Sequence, residues 1–484
     1  MDTTLRNVEH FINGAWGHAA PDARFDKIDP TSGRVLARVA EATPHDVHAA
    51  IEAAVIFHQK EGWAGLSMER MDEIFSRIQD LLQRERDDLS RVVARETGKS
   101  SKEANAEIEK AMRTFKAIQY QKYQSVGEVL PSQDKDCLVF SSHYPVGVTG
   151  VVTPWNFPLY IAAQHLAPAI MGRNTVIMKC SPHVPISSTK LVEILLEAGL
   201  PQQMISLLHG TRMEVADLLV SDKRLDMVSF TGSSATAKGI ARKREGRKFI
   251  FEGGGNNFQV VLADADITSA AGKAVQGTIG FAGQKCVATG NVLVEREVLA
   301  VFVEKVKSIM AVLSVGDTSA GADLGPLVGE RCHDLESRIQ ESVAQGGELV
   351  LGGHVTHPKG TDGQFFQPTI LILPKESPLV REELFAPVLK IIPIDTLDEA
   401  LAVINAQEYG LAASIYSRGQ SAVLNFIRRV RVGLVNVNAA TGGSEAHVPF
   451  GGSGVSGNGF RLGNPEEALH AFTEVRSVKW YPGQ

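Results

Sequence analysis

After Pro145, short apolar and β-branched runs alternate with helical patterns, and this alternation constrains the fold more than any other feature. Runs such as VGVTGVV, NTVIMK, MVSFTG and FQVVLAD have the length and composition of buried strands, whereas PISSTKLVEILLEAGLP has the pattern of a helix that ends at Gly199. Alternation of this kind predicts an α/β fold with largely parallel sheets. It resumes after Cys286 with NVLVE, LKIIPI and VGLVNVN, so we expect two α/β halves.

Two further regions lie outside these halves. Residues 67–123 carry apolar side chains at three- and four-residue steps, which predicts helices, with a stop at Gly98 and a capping box from Ser100 to Glu103. Residues 125–145 have the pattern of a β-hairpin, and the last residues, FTEVRSVKWYPGQ, that of a strand without a local partner. We expect these two segments to pair with each other or with another subunit.

The composition limits the classes of protein to consider. The chain has 484 residues, of which 44% are hydrophobic, so it can bury a large core spread over several domains. Its net charge of −6 offers no basic surface for a nucleic acid, and no apolar run reaches the ~18 residues of a membrane helix. The basic run ARKREGRK has the pattern of a solvated loop. Because the amino terminus lacks the apolar core of a signal peptide, we expect a cytoplasmic protein without a nucleic-acid or membrane partner.

The cysteines and histidines give no sign of a disulfide framework or a metal site. Four cysteines are scattered without a C-x-x-C pair, which is typical of a protein from a reducing compartment. His45 and His48 in HDVH lack a third ligand, so a surface position is favoured over metal binding, and we predict no metal.

Three motifs have residue types suited to chemistry at a carbonyl. Cys286, in GFAGQKCVATGN, is either a core thiol or a nucleophile. Asn156, in TPWNFP, is held between two prolines, which suits either an oxyanion donor or an ordered turn that fills the core with Trp155. Glu252, in FEGGGNN, ends an apolar strand before three glycines, where it would be either a partly desolvated general base or a solvent-facing side chain.

Three other motifs carry less information singly. SFTGSSATAKGI predicts a strand, a Gly232–Ser233 turn and a helix whose first N–H groups could hold a phosphate, although Ala237 stands where a last glycine is expected. EELFAPVL could present Glu383 and Phe385 to one ligand. PFGGSGVSGNGF is a glycine-rich loop, more often structural than functional.

Together and in this order, the motifs TPWNFP, SFTGS, FEGGGNN, GQKC, EELFAPV and PFGGSGVSG closely resemble those of the aldehyde dehydrogenase superfamily, whose members are NAD(P)-dependent and non-phosphorylating. The resemblance runs from FINGAW to FTEVRSVKW. It implies an α/β fold with a Rossmann-like cofactor domain, an α/β catalytic domain and a small β oligomerisation arm. The expected boundaries are 1–124 and 146–253 for the NAD(P)-binding domain, 254–450 for the catalytic domain, and 125–145 and 470–484 for the arm.

The resemblance also implies a role for individual residues. Cys286 matches the nucleophile, Glu252 the general base and Asn156 the side-chain half of an oxyanion hole, so the expected reaction is oxidation of an aldehyde to a carboxylic acid through a cysteine thiohemiacetal and thioester. The remaining matches are cofactor contacts: Thr153, Trp155, Lys179, Pro182, Gly232, Ser233, Gly253, Glu383 and Phe385.

Two departures from the family pattern affect the cofactor. Pro182 replaces a glutamate that, in many members, bonds the adenosine ribose 2′-hydroxyl and repels a 2′-phosphate. We therefore expect NAD with NADP tolerated, and His183 and Lys238 are candidates to contact the phosphate. Gly253 replaces a leucine in the usual ELGG motif, which alters the fit beside the nicotinamide.

Several questions stay open in the sequence. The substrate is a small aromatic, aliphatic or carboxylated aldehyde, and Lys285 either approaches an anionic substrate or, as we favour, points to solvent. A coenzyme A-acylating enzyme and a non-catalytic binding protein on the same scaffold are the alternatives. Retention of Glu252 favours hydrolysis over acylation. By analogy, we expect a homodimer or homotetramer.

Overall fold

The computed structural model describes residues 6–17, 23–123 and 127–482, so predictions for the remaining positions of the chain lie outside the described residues. The amino-terminal part contains β1 (Arg6–Val8), β2 (His10–Ile12), β3 (Ala15–Gly17), β4 (Arg24–Ile28), β5 (Val35–Ala40), α1 (Pro44–Gln59), α2 (Met68–Arg84), α3 (Arg86–Thr97) and α4 (Ser101–Gln119).

The next part contains β6 (Val129–Leu130), β7 (Leu138–Pro145), β8 (Val148–Val152), α5 (Tyr160–Met171), β9 (Thr175–Lys179), α6 (Pro185–Glu197), β10 (Ile205–Leu208), α7 (Met213–Ser221), β11 (Met227–Thr231), α8 (Ser234–Lys243) and β12 (Lys248–Glu252). The last part contains β13 (Asn257–Val261), α9 (Ile267–Ile279), β14 (Thr289–Glu295), α10 (Arg296–Met310), α11 (Cys332–Ala344), β15 (Glu348–Leu351), β16 (Val355–Thr356), β17 (Phe365–Phe366), β18 (Thr369–Ile372), β19 (Val388–Ile394), α12 (Leu397–Asn405), β20 (Tyr409–Gly410), β21 (Ala412–Tyr416), α13 (Gln420–Arg429), β22 (Leu434–Val437), β23 (Ser453–Gly454), α14 (Pro465–Ala471) and β24 (Thr473–Trp480).

A seven-stranded sheet in the order β12-β11-β8-β9-β10-β2-β3 forms the first half. Its five strands from β12 to β10 are parallel, and β2 pairs antiparallel with β10. Successive side chains of a strand point to opposite faces, so Val176 and Met178 of β9 pack with α2, α4 and α5, while Ile177 packs with α1 and α7. Helices therefore cover both faces, as the alternating pattern predicts.

The second half is another seven-stranded sheet, ordered β15-β18-β19-β14-β13-β21-β22. All its pairs are parallel except the edge pair β15–β18. The two sheets meet in sequence between Glu252, where β12 ends, and Asn257, where β13 begins. The predicted α/β architecture with two halves is confirmed, and the expected boundary at residue 253 falls in this short connection.

A third, antiparallel sheet in the order β24-β7-β6 stands apart from both halves. The pairing runs from Thr473 opposite Pro145 to Trp480 opposite Leu138, so the two arm segments do pair with each other within one chain. Strand β24 begins three residues after the expected start of the arm at residue 470, because α14 extends to Ala471 and packs against the first core.

Local signals place the helix ends where the sequence predicts them. Gly98 has a φ of 76° and ends α3, and Ser100 and Glu103 form the capping box at the start of α4.

The interpretation of ARKREGRK as a solvated loop is wrong in part, because the run begins in α8 and Arg244 is buried. Arg244 donates to the backbone carbonyls of Asp222 and Leu225.

Candidate active site

The loop that carries Cys286 is held in an unusual backbone conformation. After α9 the chain makes a short 3₁₀ turn, in which Phe281 (φ 51°, ψ 41°) and Ala282 (φ 49°, ψ 37°) are left-handed although neither is glycine. Each such residue costs roughly 1–2 kcal/mol, and this kind of strain persists where the surrounding structure enforces it. The turn sets the course of the backbone just before Gln284, Lys285 and Cys286.

Side chains from within the loop and from distant parts of the chain hold it in place. The carboxylate of Glu103 accepts a hydrogen bond of 2.7 Å from the Phe281 N–H. The Gln284 amide donates to the carbonyls of Phe281 and Pro326 and accepts from the Val328 N–H. Beyond the thiol, Asn257 donates to the Cys286 carbonyl at 2.8 Å. The nucleophile candidate is therefore fixed on both sides by bonds made through side chains.

Asn156 contacts the same loop from the first half of the molecule. Its side-chain nitrogen donates to the Gln284 carbonyl at 3.2 Å, and the residue is buried. A primary amide has two N–H donors, so this bond orients the group and leaves a second N–H for another acceptor. Asn156 is not part of the cavity wall around the thiol, but it is anchored two residues before Cys286.

Cys286 and Glu252 line one cavity of about 360 Å³ at the junction of the two halves. Apolar residues form much of its wall: Phe157, Ile161, Val287, Leu411 and Phe450. Glu252 is the last residue of β12, and Cys286 lies in the loop between α9 and β14. The solvent-facing interpretation of Glu252 is wrong, because the residue is 5% exposed.

Burial disfavours the charged form of both groups. Desolvation, with the charges of Glu383 and Glu252, raises the pKa of Cys286 to about 12. Desolvation also raises the pKa of Glu252 well above its usual value, and the nearby Arg461 charge and Gly452 N–H oppose this only in part. Neither carboxyl oxygen of Glu252 has a hydrogen-bond partner that meets normal geometry among the described residues. Burial therefore shifts both groups toward their neutral forms.

The sequence interpretation missed a buried ion pair beneath the site. Lys99 and Glu107 are in contact and fully buried. Glu107 also accepts from the N–H groups of Leu159 and Tyr160, and the Lys99 ammonium lies 3.9 Å from the centre of the Phe157 ring and 4.6 Å from that of Phe281. One signal was present: Glu107 falls on the buried, apolar face of α4.

The expected cofactor residues lie mostly at the carboxyl ends of neighbouring parallel strands. Thr153 follows β8, Lys179 ends β9 and Gly232 follows β11. The Thr153 N–H donates to the Lys179 carbonyl and the Gly232 N–H to the Glu252 carbonyl, so these strand ends are side by side. Open parallel sheets bind ligands at such an edge.

Glu383 and Phe385 approach the site from the second half. Glu383 accepts from the Gly255 N–H at 3.0 Å, and its desolvation raises its pKa to about 7. A Cβ at position 254 would force the Glu383 carboxylate to move away from its present place. The Phe385 ring lies edge-on to that of Trp155, with 5.8 Å between ring centres.

Gly253 lies in the wall of the cavity, at the position where the family motif has a leucine. The surrounding atoms explain why this chain has a glycine there. A Cβ there would overlap the Val455 carbonyl oxygen and crowd the Ser234 hydroxyl. A leucine cannot occupy this position without movement of the loop at Val455.

The other predicted positions fit a dinucleotide to different degrees. The Thr153 hydroxyl is buried and has no hydrogen-bond partner among the residues that the structure describes, so it remains available to a ligand. Ser233 is exposed and caps α8, and its side chain accepts from the Thr236 N–H. Lys179 donates to the carbonyls of Cys180 and Gly210, which leaves one of its three N–H donors. Pro182 is half-buried, and no carboxylate occupies its place.

The expectation that Lys285 points to solvent is wrong. Lys285 lines the cavity beside Cys286, together with Lys110. Desolvation lowers the pKa of both lysines, and the charge of Lys99 acts in the same direction. The sequence gives no basis for this position, because the direction of the side chain depends on the left-handed turn before it.

Comparison with known proteins agrees with this geometry. The model of the aldehyde dehydrogenase family matches residues 16–478. The chain is 31% identical over 476 residues to alpha-ketoglutaric semialdehyde dehydrogenase of Bacillus subtilis (97% of each chain), and 33% identical over 470 residues to 2,5-dioxopentanoate dehydrogenase of Saccharolobus solfataricus (96% of this chain, 97% of the relative). The chain belongs to the aldehyde dehydrogenase family.

Similarity in three dimensions leads to the same family. The crystal structure of betaine aldehyde dehydrogenase from Staphylococcus aureus in complex with NAD+ superimposes with a TM-score of 0.94 at 28% identity, over 98% of this chain and 95% of that one. The protein is an oxidoreductase that acts on aldehydes and uses NAD(P). Within the described residues, no helix is long and apolar enough to cross a membrane.

Proposed function

We propose that this protein converts a small aldehyde to its carboxylic acid by hydrolytic oxidation, with Cys286 as nucleophile and Glu252 as general base. The observation that carries the proposal is that both side chains line one partly apolar cavity. A thiol and a carboxylate are suited to successive steps at one carbonyl carbon, because the sulfur adds to that carbon and the carboxylate, as general base, activates water against the thioester.

The first step is addition of the Cys286 sulfur to the aldehyde carbon, and the thiol proton passes to Glu252 directly or through water. This forms a thiohemiacetal whose oxygen is negatively charged. The free N–H of Asn156 and the backbone N–H of Cys286 would donate to that oxygen. Removal of one such donor typically costs about 2.7–4 kcal/mol in barrier height.

Bound NAD(P)+ would supply a positively charged ring and the acceptor for the hydride whose loss from the thiohemiacetal carbon gives the Cys286 thioester. The residues that would hold it are Thr153, Lys179, Gly232 and Ser233, at or just after neighbouring strand ends of the first sheet, and Glu383, which accepts from the Gly255 N–H. Trp155 and Phe385 would enclose it with an apolar, edge-on pair of rings.

The last step is hydrolysis of the Cys286 thioester. Glu252 takes a proton from water, the oxygen adds to the thioester carbon, and the carbon–sulfur bond breaks to release the acid. A buried carboxylate with a raised pKa is a stronger base than one in solvent, which suits this role.

Two substitutions test these roles. We expect Cys286→Ala to lower kcat by at least about 10⁴-fold, as loss of a nucleophile does. We expect Glu252→Gln to lower steady-state kcat by about 10²–10⁴-fold and to accumulate an acyl-enzyme, because hydrolysis lacks its base. Intact-protein mass spectrometry after mixing with aldehyde and cofactor measures that adduct.

Cys137→Ala is the matched control, because this free thiol lies in the arm and should leave turnover unchanged. Turnover by Cys286→Ala at the wild-type rate would contradict the proposal. Formation of an acyl-coenzyme A in place of the acid, on addition of coenzyme A, would favour the acylating alternative.

We further propose that NAD is the preferred cofactor and that NADP is tolerated. The absence of a carboxylate at Pro182 supports tolerance of a 2′-phosphate. Preference for NAD is supported by the charge state of the two residues that could contact a 2′-phosphate, since neither His183 nor Lys238 offers it a free positive charge. Burial with the charges of Lys27 and Lys179 lowers the pKa of His183 to about 4, so His183 is neutral, and Lys238 is paired with Glu408 at 3.0 Å.

The cofactor proposal is tested by Pro182→Glu. The new carboxylate should lower kcat/KM for NADP by about tenfold or more through charge repulsion and leave that for NAD within about threefold. Pro182→Gln is the matched uncharged control. Equal losses with both cofactors would contradict this account and indicate a general disturbance of the loop.

We propose self-association to a homodimer or homotetramer through the three-stranded arm sheet. Its exposed apolar side chains support this: Val129, Leu130, Leu138, Val475 and Trp480.

We also retain the prediction of a cytoplasmic location, supported by the four cysteines, which are all free thiols.

A further inference from the structure

Two lysines near the proposed nucleophile have no hydrogen-bond or ion-pair partner within the described part of the chain. Lys285 and Lys110 are both half-buried in the wall of the cavity that contains Cys286. Neither ammonium forms a hydrogen bond or an ion pair with any residue that the structure describes, and Lys110 lies 5.5 Å from the centre of the Tyr160 ring. Partly buried, unpaired charges are unfavourable, so their presence in a cavity calls for an explanation.

The carboxylates near these lysines are already engaged. Glu103 accepts from the Phe281 N–H and from Ser100. Glu107 is paired with Lys99 and accepts from the Leu159 N–H. The charge of Glu103 raises the pKa of Lys285, and that of Glu107 raises the pKa of Lys110, against the larger effect of desolvation. Neither carboxylate bonds to these ammonium groups among the described residues, so an anion from solution would be their direct partner.

A second cavity, of about 580 Å³, opens outward from the first and is also basic. The two share Lys110, Tyr160 and Ser444. Arg113 and Lys116, one and two turns along α4 from Lys110, line the outer cavity, opposite Glu445 and His447. Arg113 has a distant partner in Glu109 at 3.7 Å, and Lys116 has none among the described residues. A cleft with this charge concentrates anions at its mouth.

The wall between the thiol and the lysines includes the apolar side chains of Phe157, Ile161 and Val287. A substrate that fills this space therefore has a reactive aldehyde, a short apolar body and a negative charge. Building on the function proposed above, we propose that the preferred substrates are small aldehydes that carry a carboxylate, with Lys285 and Lys110 as its binding groups and the basic face of α4 as the entry path.

The lysines could instead act on the thiol, because their positive charge favours a thiolate. The two roles differ in a measurable way. A thiolate effect changes the rates of all aldehydes together, whereas carboxylate binding changes the rates of carboxylated aldehydes only. The ratio of kcat/KM for a charged and a neutral aldehyde of the same shape separates them.

The experiment uses 4-oxobutanoate and its uncharged isostere 4-methylpentanal. We expect the wild-type ratio of kcat/KM to exceed about tenfold in favour of 4-oxobutanoate, and Lys285→Gln and Lys110→Gln each to lower the ratio by about tenfold or more, as loss of a charged hydrogen bond does. NaCl at 0.5 M instead of 0.05 M should lower the wild-type ratio through screening. Lys307→Gln, an exposed position on α10, is the control and should leave the ratio unchanged.

Binding provides a readout that does not depend on turnover. We expect succinate to bind the Cys286→Ala protein in calorimetry, and Lys285→Gln in that background to weaken binding by about tenfold or more. If the wild type reduces no cofactor with either aldehyde, the proposed function fails, and succinate binding still decides the lysine site. A wild-type ratio of one or less, a ratio that neither lysine variant changes, or succinate binding that Lys285→Gln does not weaken would overturn the inference.

Discussion

At the scale of single residues, burial in the resting site favours the neutral forms of groups whose chemistry requires charge. The pKa of Cys286 is raised to about 12 and that of Glu252 lies well above its usual value, both chiefly through desolvation. A raised thiol pKa means that little thiolate exists at pH 7, which protects the sulfur from unwanted reactions. Activation is therefore expected only when the positive cofactor ring and the substrate share the cavity.

This environment predicts the pH dependence of thiol reactivity in the cofactor-free protein. Below a pKa of about 12, the thiolate fraction rises tenfold per pH unit, so the alkylation rate of Cys286 by iodoacetamide should climb steadily from pH 7 to pH 9. At pH 7 that fraction is about a thousandfold smaller than for a thiol with the ordinary value of 9.0. Mass spectrometry of the Cys286 peptide measures the rate. A plateau below pH 9 would contradict the prediction.

At the scale of elements, helix α4 organises the site although it contributes no proposed reacting group. Its Glu103 fixes the left-handed turn before Cys286, and its Glu107 fixes the start of α5 after the TPWNFP loop. Lys99, just before the helix, lies against the aromatic rings of both loops. The two loops that carry Asn156 and Cys286 are thus set relative to each other by one short stretch of chain.

Replacement of Lys99 should therefore lower the free energy of unfolding more than replacement of a surface lysine does. Lys99→Met leaves the buried Glu107 carboxylate without its counter-ion, and loss of one partner of a buried pair typically costs about 3–5 kcal/mol. Urea unfolding monitored by fluorescence measures this, and kcat should fall as the loops loosen. Lys102→Met, an exposed neighbour on α4, is the control. Equal midpoints for the two variants would refute a structural role for the pair.

At the scale of the whole molecule, two covered sheets meet at the site, and a third sheet is left partly uncovered. Strands β24 and β7 pair along their full lengths, yet Val475 is 60% exposed and Trp480 is 55% exposed. Exposed apolar side chains on a small sheet are typical of a surface that binds a partner. The arm is therefore where we expect subunits to meet.

A charge in that sheet should weaken assembly. The wild type should have a mass in light scattering of two or four times the 52.2 kDa chain, and Val475→Glu should shift it toward the single chain, because burial of an unpaired carboxylate is unfavourable. Val312→Glu is the control, since Val312 is 81% exposed and lies outside the arm. A monomeric wild type, or a Val475→Glu protein of unchanged mass, would contradict the proposal.

The sequence by itself determined the elements and the chemical types at the site. Strand and helix alternation gave both sheets, because hydrophobic periodicity is a local property of the chain. Gly98, Ser100 and Glu103 gave helix ends for the same reason. The family motifs identified the thiol of Cys286 and the carboxylate of Glu252 before any contact was known.

Tertiary structure decided the direction and the charge of the side chains at the site. The inward position of Lys285 follows from the left-handed Phe281 and Ala282, whose conformations depend on Glu103, a residue distant in sequence. The burial of Arg244 and the raised pKa of Glu252 depend on which surfaces meet after folding. Desolvation and long-range hydrogen bonds are properties of the assembled structure, and a pattern read along one chain does not contain them.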